Sequence, residues 1–204
     1  GFGIEHNKIE KLQGEKFHVF INTSFQDGEL KVGEHTIKGQ TNETVVFVAH
    51  LDHPFMANDD LTGVAAMIDI ANELKDKKLH FTYKFLFVSE TIGSIAFLSH
   101  NEELIKDLKY GLFLEMLGND NTLALQFSKQ GNTRIDRIAK FVIKKRSQNH
   151  REGEFRKIVA NDEMVFNGPG VNIPMISISR YPYDEYHTSA DSPEIIKNDK
   201  MQEA

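Results

Sequence analysis

The sequence contains no cysteine. The chain therefore cannot form a disulfide framework, an iron–sulfur cluster, a thiolate zinc finger or a cysteine nucleophile. Any metal must be held by histidine, aspartate and glutamate. The longest apolar runs, such as 44–49 and 85–88, are far shorter than the roughly 20 residues needed to cross a bilayer. We therefore expect a soluble, cytoplasmic chain that does not enter a membrane.

Charge and composition narrow the class further. The chain has 24 basic and 30 acidic residues, a formal net charge of −6, which argues against nucleic acid as a partner. Apolar residues make up 40% of its 204 residues, which is enough to fill a core. We expect residues 1–204 to form one domain. Because the chain starts at Gly1 without a methionine, we expect that domain to be a fragment of a longer protein. The oligomeric state cannot be read from the sequence.

Strand-like and helix-like stretches alternate along most of the chain. The first forty residues favour short β elements at 17–21, 29–32 and 36–38. Buried strands are predicted at 45–49, 82–88, 110–116, 122–127 and 173–178, and helices at 64–74, 95–104 and 135–142. This alternation predicts an α/β domain with three layers, a mixed sheet and short β elements at the N-terminus.

Metal-ligating residue types follow the predicted strands. In an α/β sheet, ligands bind at the carboxyl ends of the strands. The strand ends bring together His50, Asp59, Glu90, Glu115 and His187. Histidine and carboxylate ligands without thiols suit zinc, manganese or cobalt.

Each residue alone has a simpler explanation. His50 fits an ordinary loop histidine, Asp59 fits a helix cap and Glu90 fits a first-turn acid. Glu115 is harder to explain, because it lies in an apolar stretch where an unpaired carboxylate is costly. Five such residues meeting at one sheet edge favour a metal site over independent caps.

The motifs also resemble a known superfamily. They are His50-Leu51-Asp52, Asn58-Asp59-Asp60 before Gly63, Phe87-Val88-Ser89-Glu90, Leu114-Glu115 and His187-Thr188-Ser189-Ala190-Asp191. In this order they resemble the metal-site motifs of the co-catalytic zinc aminopeptidases, which include glutaminyl cyclases. The chain is most similar to a bacterial, uncharacterised aminopeptidase-like domain family. The resemblance implies a zinc-aminopeptidase-like (phosphorylase/hydrolase-like) fold.

The resemblance also implies roles for individual residues. His50 and Glu115 would bind one zinc, Asp59 would bridge two, and His187 would bind the second. Glu90 would be the general base. Asp52 would accept a hydrogen bond from the His50 ring, as acceptors beside metal-bound histidines commonly do.

One position departs from the superfamily pattern. Two-zinc members carry a second glutamate directly after the base, and here that position is Thr91. We therefore expect one firmly held zinc and leave the second undecided. His53 could replace or supplement His50, and Asp162 could be a ligand or orient His187.

The function that follows is a zinc-dependent, aminopeptidase-type hydrolase acting on a small peptide or amide. Glu90 would activate water, and Tyr186 or Tyr183 could donate to the oxyanion. Two alternatives stay open at this stage. One is a related chemistry, such as cyclising transfer or deacylation of a small biosynthetic amide. The other is a non-catalytic binding module that has lost the second metal.

Overall fold

The computed structural model describes residues 5–9, 11–12, 14 and 16–204, which build one seven-stranded mixed sheet with helices on both faces. The strands are β1 (Gly33–Ile37), β2 (Thr44–His50), β3 (Thr82–Val88), β4 (Leu108–Leu114), β5 (Leu123–Gln126), β6 (His150–Gly153) and β7 (Met175–Ser179). The helices are α1 (His6–Ile9), α2 (Leu61–Leu74), α3 (Ile92–His100), α4 (Arg134–Arg146), α5 (Glu163–Phe166) and α6 (Asn198–Glu203), with 3-10 turns at Glu102–Asp107 and Pro193–Ile195.

The sheet order is β1-β3-β2-β4-β7-β5-β6. β2 pairs in parallel with both β3 and β4, and β4 pairs in parallel with β7. β1 and β5 run antiparallel to β3 and β7, respectively. The four central strands therefore end at the same edge, where the predicted site residues follow them.

The apolar residues of β2 explain its central place. All seven of its residues are buried, as expected for a strand covered on both faces. Val45 and Phe47 pack in one core together with Met67 of α2, while Val46 and Val48 pack in a second core together with Phe97 of α3. This alternation follows from the twofold repeat of a strand. The predicted three-layer architecture is confirmed.

The start of α2 is fixed tightly against β4. Asp60 caps the helix by accepting a hydrogen bond from the Gly63 backbone N–H at 2.9 Å. A Cβ at Gly63 would lie 2.1 Å from the carbonyl oxygen of Leu114, so glycine permits this close approach. The loop before α2 is thereby held beside the end of β4.

Several predicted elements need correction. Residues 17–21 and 29–32 are not in strands, and the short edge strand is β1. Phe17 and Phe20 are exposed, and none of the strands in the described part of the chain pairs with this segment. The helix predicted at 95–104 is α3, which begins earlier and ends at His100 before a separate 3-10 turn. The elements α1, β6, α5 and α6 were not predicted. Within the described residues, no helix combines the length and apolar character that a membrane span requires.

Candidate metal centre

The carboxyl ends of four parallel strands position the candidate residues. His50 is the last residue of β2 and Glu115 directly follows β4, while Glu90 comes two residues after β3. His187 lies in the loop that follows β7. Asp59 lies between β2 and α2, next to the capping residue Asp60. The structure therefore brings these candidate residues to the same edge of the sheet, where the strand-end rule predicts them.

The most deeply buried group of candidate ligands is His50, Asp59 and Glu115. One ligand atom from each lies within 4.8 Å of the others. His50 Nε2 is 3.0 Å from Asp59 Oδ1. His50 and Glu115 are each 1% exposed. Glu115 Oε2 is 3.4 Å from the Asn161 side-chain amide, whereas its Oε1 is buried without a hydrogen-bond partner in the described part of the chain.

Asp52 fixes the orientation of the His50 ring. His50 Nδ1 lies 3.1 Å from Asp52 Oδ1. An ionised carboxylate only accepts, so this contact requires a hydrogen on Nδ1. In the neutral ring, Nε2 then presents a lone pair to Asp59 Oδ1, which is also an acceptor. A proton or a metal cation between these two atoms would satisfy both.

Asp52 also connects this ring to the predicted base. Its second oxygen, Oδ2, accepts a hydrogen bond from the Glu90 backbone N–H at 2.6 Å. The Glu90 side chain lines a cavity of about 270 Å³, which Glu115, Arg156 and Tyr186 also line. Glu90 is outside the three-residue groups of potential metal ligands found among the described residues. Glu90 therefore shares a cavity with one of the buried candidate ligands, Glu115.

Buried negative charge dominates the electrostatics. Burial lowers the pKa of His50, but the hydrogen bond to Asp59 and the charges of Asp60, Asp59 and Glu115 outweigh it and raise this pKa to about 10. Burial and neighbouring carboxylates raise the pKa of Glu115 and of Asp60 well above the usual range. Without a metal, a proton on His50 therefore compensates part of this negative charge. A divalent cation at the same position would compensate more of it.

Asp59 is positioned by a residue whose role the sequence analysis missed. The buried carboxylate of Asp191 accepts hydrogen bonds from the backbone N–H groups of Asn58 at 2.6 Å and Asp59 at 3.1 Å. It also accepts one from the Tyr183 hydroxyl at 2.7 Å. Tyr183 therefore supports the loop rather than facing the cavity. The peptide bond between Asp59 and Asp60 is cis.

His53 and His187 form a second group with Asp59. His53 Nε2 and His187 Nε2 lie 3.4 Å and 3.2 Å, respectively, from Asp59 Oδ2. The His187 ring stacks on Tyr186, with 3.8 Å between ring centroids. Asp59 thus presents one oxygen to His50 and the other to two further histidines. His53, predicted to replace or supplement His50, faces the other oxygen of this carboxylate, and its ring centroid is 5.7 Å from that of His50.

Asp162 has a different environment from these ligands. Its Oδ1 accepts hydrogen bonds from the Thr91 backbone N–H at 3.1 Å and from the Ser94 hydroxyl. Burial raises its pKa to about 6 despite these bonds. Asp162 therefore fastens the start of α3, the segment that follows Glu90. In the described part of the chain, Asp162 forms no hydrogen bond with His187, which it was predicted to bind metal with or to orient.

Buried residues behind Glu115 hold its neighbour Asn161 in position. Glu163 accepts hydrogen bonds from the Gln126 side chain at 3.1 Å and from the Asn161 backbone N–H at 3.0 Å. The side-chain carbonyl oxygen of Gln126 in turn accepts hydrogen bonds from the backbone N–H groups of Ile158 and Val159. These bonds hold Asn161 next to Glu115. No pattern in the sequence links these residues, because the contacts join separate strands and loops.

Known proteins share this arrangement of elements. A "Putative polysaccharide biosynthesis protein with aminopeptidase-like domain" from Clostridium acetobutylicum is 37% identical over 194 residues, covering 94% of this chain and 44% of that protein. A crystal structure of a "putative peptidase" from Clostridium acetobutylicum has a TM-score of 0.87 at 35% identity, covering 98% of this chain and 48% of that one. The chain therefore spans less than half the length of these relatives.

More distant structures share the fold. A zinc aminopeptidase from Bacillus subtilis has a TM-score of 0.70 at 20% identity, covering 84% of this chain and 46% of that one. Glutaminyl cyclases also have this fold, with a TM-score of 0.69 for the enzyme from an Acidobacteriales bacterium at 16% identity, covering 85% of this chain and 69% of that one. The resemblance to zinc aminopeptidases and glutaminyl cyclases is confirmed at the level of the fold. Residues 5–204 match the family described as "Domain of unknown function (DUF4910)", and the chain belongs to that family.

Proposed function

We propose that this domain is a zinc-dependent hydrolase of the aminopeptidase type, which cleaves an amide bond in a small peptide or related amide. The observation that carries the proposal is the buried group of His50, Asp59 and Glu115. Its histidine nitrogen faces a carboxylate oxygen, and Glu115 Oε1 has no hydrogen-bond partner in the described structure. A buried carboxylate without a partner is costly unless a cation compensates it.

The ligand types fit zinc. Imidazole nitrogens and carboxylate oxygens are both zinc ligands, and three protein ligands leave a coordination position open. Zinc bound there would supply Lewis acidity, which lowers the pKa of water towards about 7 and polarises a carbonyl group. The hydrogen bond from His50 to Asp52 fits this role, because such an acceptor orients a metal-bound imidazole.

In this proposal, Glu90 would move the protons. Its side chain lines the same cavity as Glu115 and Tyr186, and its backbone is fixed by Asp52. It would take a proton from the attacking water and deliver it to the leaving amine. Tyr186 also lines this cavity, so its hydroxyl is the candidate donor to the oxyanion.

The proposal is tested by hydrolysis of a panel of aminoacyl-p-nitroanilides and acyl amides, before and after zinc is added to metal-free protein. We expect turnover that depends on zinc. Glu90→Gln should bind zinc as the unsubstituted protein does and lose a factor of about 10²–10⁴ in turnover. The matched control is Glu103→Gln, an exposed residue in the 3-10 turn after α3, which should keep full activity. Full turnover by a folded Glu90→Gln variant would refute the assignment of the base.

The same panel separates the alternatives. Release of a cyclised product, or turnover of acyl amides alone, would point to transfer or deacylation instead of peptide hydrolysis. Zinc binding without turnover of any substrate would favour a binding module that has kept the metal site.

A further inference from the structure

His53 presents an unsatisfied nitrogen to Asp59. Its Nδ1 lies 3.0 Å from the Pro54 carbonyl oxygen, which can only accept, so Nδ1 carries the hydrogen. In the neutral ring, Nε2 then carries a lone pair. This atom is buried, makes no hydrogen bond within the described residues, and lies 3.4 Å from Asp59 Oδ2. Two acceptors therefore face each other.

His187 approaches the same oxygen from a different loop. Its Nε2 is 3.2 Å from Asp59 Oδ2, and its ring centroid is 5.4 Å from that of His53. One ligand atom from each of His53, Asp59 and His187 lies within 4.8 Å of the other two. Separations of 3.2–3.4 Å from Asp59 Oδ2 match those between ligand atoms that each lie about 2.0–2.2 Å from one zinc ion.

The two oxygens of Asp59 serve separate groups. Oδ1 faces His50, while Oδ2 faces His53 and His187. Asp191 holds the Asp59 backbone in this orientation through the hydrogen bond to its N–H. A carboxylate placed in this way can bridge two cations.

We infer that His53 takes the place of the carboxylate missing at Thr91, so that His53, Asp59 and His187 bind a second divalent cation. Two imidazoles and one carboxylate favour zinc or cobalt(II) over magnesium or calcium. This set carries one negative charge fewer than a set with a second carboxylate, so this cation should bind more weakly than the one at His50. The inference rests on the proposed metal site, because both cations share Asp59.

The test is the number of zinc ions bound per chain. Metal-free protein and its variants are dialysed to equilibrium against a series of zinc concentrations, and bound metal is measured by plasma mass spectrometry. We expect two zinc ions per chain in the unsubstituted protein, and one each in His53→Ala and His187→Ala. The matched control, His100→Ala, removes an exposed histidine at the end of α3 and should keep two.

Cobalt(II) provides a second readout. Visible absorption should grow over two equivalents in the unsubstituted protein and over one equivalent in His53→Ala. Circular dichroism establishes that each variant is folded. If His53→Ala does not fold, His53→Gln keeps much of the ring's volume and should also bind one ion.

The outcomes separate the two proposals. Two zinc ions in a folded His53→Ala variant would overturn the assignment of His53. One ion in both the unsubstituted protein and His53→Ala would overturn the second site and leave the site at His50 standing. No bound zinc in the unsubstituted protein would refute the proposed function and this inference together.

Discussion

Replacing Asp191 should weaken both the fold and the metal site. Its buried carboxylate accepts hydrogen bonds from the backbone of Asn58 and Asp59 and from the Tyr183 hydroxyl. Asp191→Ala leaves two buried backbone donors without partners, at about 1–3 kcal/mol each, and removes a third hydrogen bond of about 1 kcal/mol. We therefore expect a loss of about 3–7 kcal/mol in the free energy of unfolding.

Asp191→Ala should also lower the affinity for zinc, because Asp59 loses the carboxylate that orients its backbone. Loss of such a supporting residue typically weakens metal binding about 10- to 100-fold. The assays are urea unfolding of metal-free protein and zinc titration against a competing chelator. Tyr183→Phe is the matched control. It keeps both backbone bonds and should cost about 1 kcal/mol with little change in zinc affinity. Unchanged zinc affinity in a folded Asp191→Ala variant would refute this positioning role.

Three other substitutions test separate parts of the account. Asp52→Asn should weaken zinc binding at least about tenfold in a chelator competition, because the amide no longer accepts as strongly from His50; unchanged affinity would contradict this. Burial raises the pKa of Glu163 to about 7 from 4.5, so the unfolded chain loses this proton first and stability falls as pH rises from about 5 to 7. The Glu163→Gln variant cannot lose this proton, so its free energy of unfolding should lack this fall. Measured by urea unfolding of metal-free proteins, its stability relative to the unsubstituted protein should rise by roughly 2 kcal/mol between pH 5 and 8. A stability difference between the two proteins that does not change with pH would refute the reasoning. Arg180→Met removes a buried guanidinium that donates hydrogen bonds to three backbone carbonyls and to Glu203. We expect it to lower the free energy of unfolding, measured in urea, by about 3–5 kcal/mol. A loss below about 1 kcal/mol would contradict a stabilising role for Arg180.

The central fold could be predicted because its signals are local. The apolar run of β2 is long enough to indicate a strand buried on both faces, and capping residue types before an apolar helical pattern indicate the start of α2. Edge elements lack such signals. β6 is mostly polar because it lies at the edge and pairs only with β5. Residues 17–21 have a strand-like pattern, but a pattern cannot show that a pairing partner is present.

The candidate site was predictable only in part for the same reason. Parallel strands bring their ends to one edge, so His50 and Glu115 could be placed together from the order of elements. The contact between His53 and Asp59 depends on the path of the loop between them. That loop is held by Asp191, 133 positions from Asn58 in the chain, and no local pattern indicates so distant a contact.

The most direct test is a crystal structure of zinc-loaded protein, with anomalous diffraction recorded on both sides of the zinc absorption edge. The account predicts an anomalous peak about 2.0–2.2 Å from His50 Nε2, Asp59 Oδ1 and a carboxylate oxygen of Glu115. A folded, zinc-saturated crystal without a peak between these three residues would contradict the central claim.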